Sequence, residues 1–525
     1  MPDDHGRSGP DENIREAVEK RVKEESLNYP DTARNNGKLS SSFIQQCINA
    51  NELGDGLLYA AVQKDIYIYN NIAAEWLLWT GHTWERDIME QCLAGVEDIV
   101  DALLDEVSKI ADKINWAVKK KEPNTIMSLE SKRDAIYKRI HRLRTDRGRN
   151  ACLKFSRTCK DPLAIRGDEL DLHHWLLGCK NGVLDLRSGK FRDGRPGDYI
   201  SKACPVEWRG LDVRSEAWEN WLLEVFNGDD ELICFLQRIF GYSITGLNSE
   251  HIFLVFWGKG RNGKGTLVEI MSHILGPLAA PIQSEMLLDQ GRMKSSAGPS
   301  PDIMSLRGLR IAFASETDEG RRFSPSRVKW LTGGDTLVGR LPHDKHEVHF
   351  QPTHTLILLT NNKPQAPASD FAFWERLYLI PFQLSFVDRE TLAPNERRVK
   401  KGIVEKLKDE APEIFAWLVR GCLEYQVHGF NPPKSVTDAT AEYRRDEDDL
   451  ADFIEEYCSL DEYAKVQSSV LFDNYLKWFV KNVSKKGITL TRFGRMMRQR
   501  FRKDKDGGRI FYHGIELIKE VDGDD

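Results

Sequence analysis

No Cys-x-x-Cys pair occurs among the nine cysteines of this 525-residue chain, which removes the commonest zinc and redox patterns and argues against a disulfide framework. Cys152, Cys159, His173, His174 and Cys179 come nearest to a metal cluster, but their irregular spacing favours ordinary buried or surface residues. No uninterrupted apolar run approaches the roughly 20 residues of a membrane span, and the stretch MPDDHGRSGPDEN has no apolar signal-peptide core. A membrane is therefore not an expected partner, and the expected location is the cytoplasm. An overall basic balance is missing too. The formal net charge is −6, so any surface for nucleic acid must be sought segment by segment.

What the chain does contain is 40% hydrophobic and 30% charged residues, the balance of a globular protein, over a length that suggests roughly three domains. Residues 1–40 are polar and poor in aromatics, and are expected to be a disordered tail. From Phe43 the apolar residues return, and 41–250 is expected to be mainly helical. Val96, Leu103 and Ile110, interleaved with Val100, Val107 and Ile114, predict a long amphipathic helix. Pro123-Asn124 breaks it, and Ile126, Leu129, Ile136, Ile140 and Leu143 predict a return helix. The apolar stripe of this pair suits internal packing and self-association equally. Asn181–Leu186 with Ser188-Gly189-Lys190 predicts a tight hairpin, and Trp218–Tyr242 has helical spacing.

The most informative segment follows. Ile252–Trp257 is a continuous apolar run, residues 258–266 read GKGRNGKGT, and Leu267–Leu275 is helix-like. A strand, a glycine-rich loop and a helix in that order make a phosphate-binding loop. Gly258, Gly260, Asn262, Gly263, Gly265 and Thr266 are the candidate cradle, and Lys264 is placed to reach the β- and γ-phosphates of a nucleotide such as ATP. The hydroxyl residue that usually follows the lysine is Gly265 here, so the nearest hydroxyl for Mg²⁺ is that of Thr266. Ile311–Ala314 and Thr355–Leu359 read as further buried parallel strands, making residues 251–432 an α/β domain. The first ends in Ser315-Glu316 and the second in Thr360-Asn361. Glu316 has the place of the acid that orients an attacking water and helps hold the metal, and Asn361 that of an amide sensing the γ-phosphate.

The combination NGVLDL, GKGRNGKGT, FASE, LTGGD, TNNKP and FWERLYLIPF, over roughly residues 170–385, resembles the superfamily 3 helicases, within them the phage and plasmid primase-helicase group that includes the poxvirus primase-helicase. The resemblance implies an AAA+-type P-loop ATPase core assembled as a ring, usually a homo-hexamer, moving 3′ to 5′ on single-stranded DNA, with the preceding residues forming a helical collar. It also implies that Arg376 is an arginine finger reaching the neighbouring subunit's γ-phosphate. One arginine stands there, beside Glu375, where the family commonly has two, and an Arg-Glu structural pair is the alternative reading. In related viral ring helicases a hairpin between the acid and the sensor amide carries a Lys-His pair into the pore. The matching residues are Lys345 and His346, which an exposed basic turn would equally explain.

Residues 433–525 are expected to form a winged-helix DNA-binding domain: helices at Leu471–Val480 and Arg492–Phe501 precede β-like segments separated by Gly507-Gly508. Arg492, Arg495 and Arg498 lie in a basic run, 485–503, that has no acidic residue. It reads either as a solvated helix face or as contacts to forked or origin duplex DNA. The expected activity is that of an ATP hydrolase and DNA helicase in phage, plasmid or mobile-element replication. The alternatives are a replication initiator whose ATP serves ring assembly at an origin, and the helicase part of a primase-helicase. No credible carboxylate site for primer synthesis is evident, so a separate primase is the expected partner.

Overall fold

The computed structural model describes residues 34–35, 38–290, 299–315, 320–342, 347–390, 393–483 and 487–518. Nearly all of the expected tail, and Glu316, Lys345 and His346, lie outside the described residues. The chain divides into two compact units, one of residues up to Leu172 with Gly194–Ser201, the other of His173–Asp193 and everything from Lys202 onward. No helix among the described residues is long and apolar enough to cross a membrane.

In the first unit the two long helices are Val96–Lys120 and Pro123–Leu143. Lys121 ends the first in a left-handed conformation, and Pro123 sits in the first turn of the second, where its missing N–H costs nothing. Val96, Val100, Leu103, Val107 and Ile110 are buried in one cluster with Leu57, Leu58 and Tyr59 and with Ile136, Ile140 and Leu143 of the return helix. Over this length the stripe is consumed by internal packing. Helices make up most of the regular structure in 41–250, and two four-stranded sheets that the helical reading did not foresee also lie within it. One is formed by Tyr67–Asn70, Glu75–Trp79, Trp84–Arg86 and Ala164–Ile165. The other, in the second unit, contains the NGVLDL hairpin, in which Gly182–Asp185 pairs antiparallel with Lys190–Arg192. Short strands rich in Gly, Trp and Tyr carry no helical period, and their pairing depends on partners distant in the chain.

The core of the second unit is an all-parallel sheet of β1 (Phe253–Trp257), β2 (Ala279–Pro281), β3 (Ile311–Ser315), β4 (Thr355–Thr360) and β5 (Leu377–Pro381), in the order β2-β3-β4-β1-β5. Three of these strands were legible as apolar runs; β2 and β5 were not. The reason β1 is apolar at every position is visible in the packing. Leu254 and Phe256 join a cluster on one face of the sheet, with helices Glu216–Val225, Asp230–Ser243 and Ala411–His428, whereas Phe253 and Val255 join a separate cluster with Phe323, Leu358 and Phe373.

Helices Asp230–Ser243 and Ala411–His428 meet through two glycines. A Cβ on Gly241 would lie 2.1 Å from the Cys422 backbone nitrogen, and one on Gly421 would lie 2.0 Å from the Gln237 carbonyl oxygen. Backbone cannot yield as a flexible side chain can, so Gly241→Ala is expected to cost about 3 kcal/mol or more, the upper part of the overpacking range. A thermal denaturation midpoint within error of wild type would show that the helices separate freely.

Lys434–Asp446 forms a helix whose Tyr443 is fully buried against Trp374 and whose Thr440 Oγ1 accepts a hydrogen bond of 3.0 Å from Leu379 N of β5. The C-terminal module expected from 433 therefore begins, as a separately packed core, only at Asp449. It comprises helices Asp449–Tyr457, Ser468–Asn482 and Leu490–Arg498 and a three-stranded sheet in which Arg509–His513 lies between Lys465–Gln467 and Lys503–Asp506.

Candidate nucleotide site

The phosphate loop leaves the C-terminal end of β1, and Asn361 leaves the C-terminal end of β4, its hydrogen-bonded neighbour. Ligand crevices of parallel sheets open at this edge, where adjacent strands feed loops over one spot. Helix Lys264–Leu275 starts here, so its free N–H groups and positive dipole end face the same place. The loop's geometry demands glycine at two positions. A Cβ on Gly258 would lie 2.3 Å from the Phe382 carbonyl oxygen, and Gly263, at φ +91°, holds the left-handed turn into the helix. Asn262 is buried and its Nδ2 donates to Phe382 O at 3.3 Å, tying the loop to the residue after β5.

Lys264 is 6% exposed. Its ammonium donates to Gly258 O at 2.5 Å and to Asn361 Oδ1 at 3.1 Å. Burial, which penalises the charged form, lowers its pKa from the ordinary lysine value to about 8. Among the described residues its acceptors are neutral oxygens, which phosphate oxygens can replace. That replacement would return the ammonium to its ordinary strength.

Beside the loop is a cavity of about 400 Å³ lined by Trp221, Phe386, Val399 and Ile403, with Thr266 and Arg261 at the loop side. Lys400 and Glu224 form an ion pair of 2.8 Å on its wall. An apolar slot with a few polar groups, opening next to a phosphate cradle, has the size and chemistry of a base-and-sugar subsite. The apolar lining was not found from the sequence: Trp221 read only as a core position of a helix, and Phe386 and Ile403 lie far along the chain from it. Thr266 lines this slot; Gly265 is exposed, and a Cβ there would meet nothing within 4 Å.

The remaining candidates are distributed elsewhere. Ser315, before the undescribed Glu316, ends β3 exposed, and β3 neighbours β4. Arg376 is at the opposite edge of the sheet: its carbonyl accepts from Phe253 N, the first residue of β1, at 2.7 Å. Its guanidinium Nη1 donates to Ala372 O at 2.5 Å. Five residues of strand separate it from the phosphate loop, roughly 16 Å at the usual rise, so Arg376 is not brought to the Lys264–Asn361 pair of its own chain. Leu337–Gly339 pairs antiparallel with Val348–Phe350; Lys345 and His346, named for the expected hairpin, lie outside the described residues. On helix Leu490–Arg498, Phe493 and Met497 are buried, and Arg492, Arg495 and Arg498 are exposed on the other side.

Comparison with known proteins adds to this geometry. The family described as D5 N terminal like matches residues 56–227, and the family described as Poxvirus D5 protein-like matches residues 445–513. The chain resembles the D5 proteins. The D5-like chain is 31% identical over 339 residues to L207/L206 of Acanthamoeba polyphaga mimivirus, covering 62% of this chain and 35% of that protein. It is 27% identical over 362 residues to 121R of Invertebrate iridescent virus 3, covering 64% of this chain and 38% of the relative. Both relatives carry helicase in their names. The D5-like chain thus spans little more than a third of the length of either. A solved apo structure of the NrS-1 C-terminal region is 15% identical and covers 59% of this chain and 79% of that one at a TM-score of 0.34; the fold described above rests on this chain's own strand order.

Proposed function

We propose that the chain is an ATP-driven DNA helicase whose AAA+-type core works in a ring, usually hexameric, on single-stranded DNA in the 3′ to 5′ direction. The observation that carries this reading is the buried Lys264 ammonium poised on Asn361 and Gly258 at the sheet edge where a helix begins. In this reading the phosphates of ATP replace the two acceptors, the base enters the slot beside Trp221, and Glu316 and Asn361 orient the attacking water. Thr266 and Glu316 are the proposed Mg²⁺ ligands; the ion would supply charge neutralisation at the phosphates. Arg376 acts on the neighbouring subunit's nucleotide. Lys345 and His346 grip the strand in the pore. The C-terminal module serves as a winged helix, with Arg492, Arg495 and Arg498 on forked or origin duplex DNA. Replication of a virus, phage, plasmid or mobile element, with a separate primase, is the proposed setting.

Strand displacement from a forked duplex, measured with ATP and with a non-hydrolysable analogue, tests the proposal. ATP-dependent displacement is the expected result. Binding and assembly on origin DNA with no displacement would make the chain an initiator instead.

The open space at Gly265 yields a further expectation. Gly265→Ser restores a hydroxyl directly after the lysine without a steric clash, and is expected to lower the Mg²⁺ concentration for half-maximal ATP turnover about threefold to tenfold, the effect of about one additional polar ligand contact. A Mg²⁺ titration identical to wild type would mean that the metal does not lie at this position.

A further inference from the structure

The loop that carries Asn361 continues through Asn362 to Ala368, and this continuation is held by one helix and the acidic turn at its end. Lys363 Nζ lies 3.2 Å from Asp446 Oδ2 and 4.7 Å from the Trp257 ring centre. The Tyr443 hydroxyl donates to Pro364 O. Glu447 Oε2 accepts from Ala366 N at 2.8 Å, and Arg444 Nε donates to Ala368 O at 3.0 Å. Backbone groups of residues 364, 366 and 368 are thus each fixed by a side chain of helix Lys434–Asp446 or of the residue after it. The same turn reaches the C-terminal module. Asp448 caps helix Asp449–Tyr457 by accepting from Ala451 N at 3.2 Å, and its other oxygen pairs with Arg500. Asp449 lies in the field of Arg492. Burial pushes the carboxyls of Glu447 and Asp449 up to about 7 and about 6, so placing acids here is costly, and the contacts they make offset that cost.

We infer that Glu447 is a positioning residue for Asn361, and that nucleic acid bound at the C-terminal arginine helix is felt at the nucleotide site through the 446–449 turn. DNA phosphates would compete with Asp448 and Asp449 for the guanidiniums of Arg500 and Arg492. Releasing that grip changes how firmly Glu447 holds Ala366, and Asn361 lies at the other end of the same short loop, 3.1 Å from the Lys264 ammonium. The inference rests on the proposed DNA binding by the C-terminal arginines and, for its kinetic consequence, on the ATPase reading; the contacts that link the turn to the Asn361 loop stand apart from both.

The test uses the full chain, ATP and a forked duplex. Glu447→Ala is expected to lower kcat about tenfold or more with KM within about twofold, as for displacement of a group that acts in the transition state. Glu447→Gln, whose amide oxygen still accepts from Ala366, is expected to stay within about threefold of wild type. Asp448→Asn keeps the helix cap and removes the charge that holds Arg500, and is expected to show without DNA the turnover that DNA produces in wild type, with no further response to DNA. Hydrogen exchange at the Ala366 amide, read without nucleotide, should quicken in Glu447→Ala but not in Glu447→Gln, and should respond to DNA in wild type but not in Asp448→Asn. A Glu447→Gln variant as impaired as Glu447→Ala, or an Ala366 amide indifferent to DNA in a chain that hydrolyses ATP, overturns the inference. Wild type that shows the exchange response without hydrolysing ATP supports the link and sinks the ATPase reading instead.

Discussion

Lys264→Ala is expected to reduce ATP turnover by about 10³-fold or more, equivalent to about 4 kcal/mol of transition-state stabilisation. The lysine is the buried cation at the helix N-terminus whose acceptors, Gly258 O and Asn361 Oδ1, are neutral and replaceable. The fold should survive, since truncation removes two hydrogen bonds at an open sheet edge and relieves the burial of a charge, a burial that already lowers the lysine's pKa to about 8. Steady-state phosphate release, with circular dichroism to confirm folding, provides the measurement. A folded variant that keeps more than about a tenth of wild-type kcat would place the phosphates elsewhere.

Arg376→Ala is expected to lower turnover by about 10³-fold to 10⁵-fold while leaving nucleotide affinity nearly unchanged, the behaviour of a finger supplied in trans. Its position makes this a sharp expectation. Arg376 stands at the β1 edge remote from the loop, bonded through its carbonyl to Phe253 N, so within one chain it has no path to its own phosphates. Mixed assemblies decide the matter. A Lys264→Ala subunit has a disabled loop and an intact finger, an Arg376→Ala subunit the reverse, and a ring containing both holds some interfaces with a working loop facing a working finger. Partial recovery of turnover on mixing is the expected result. If subunit exchange is demonstrated and no activity returns, Arg376 serves its own chain's structure, through its bond to Ala372 O.

Much of this was legible along the chain because the signals are local. Each residue type in GKGRNGKGT answers a local demand: a left-handed turn at Gly263, close backbone approach at Gly258, a cation at the helix start. The apolar run Phe253–Trp257 announces a strand buried on both faces, and the long helical pair of the first unit announces itself by period. What the sequence by itself determined is therefore the existence of the loop, three core strands, the helix pair and the basic run 485–503. The tertiary structure alone decided that β4 neighbours β1, which brings Asn361 to Lys264 across 97 residues of chain. It also decided that Arg376 faces away, that Trp221 and Ile403 share a slot, and that helix Lys434–Asp446 packs on the parallel sheet and, with Glu447 after it, holds the Asn361 loop. Strand order and long-range contacts are set by how whole faces bury one another, and no window of sequence carries that information.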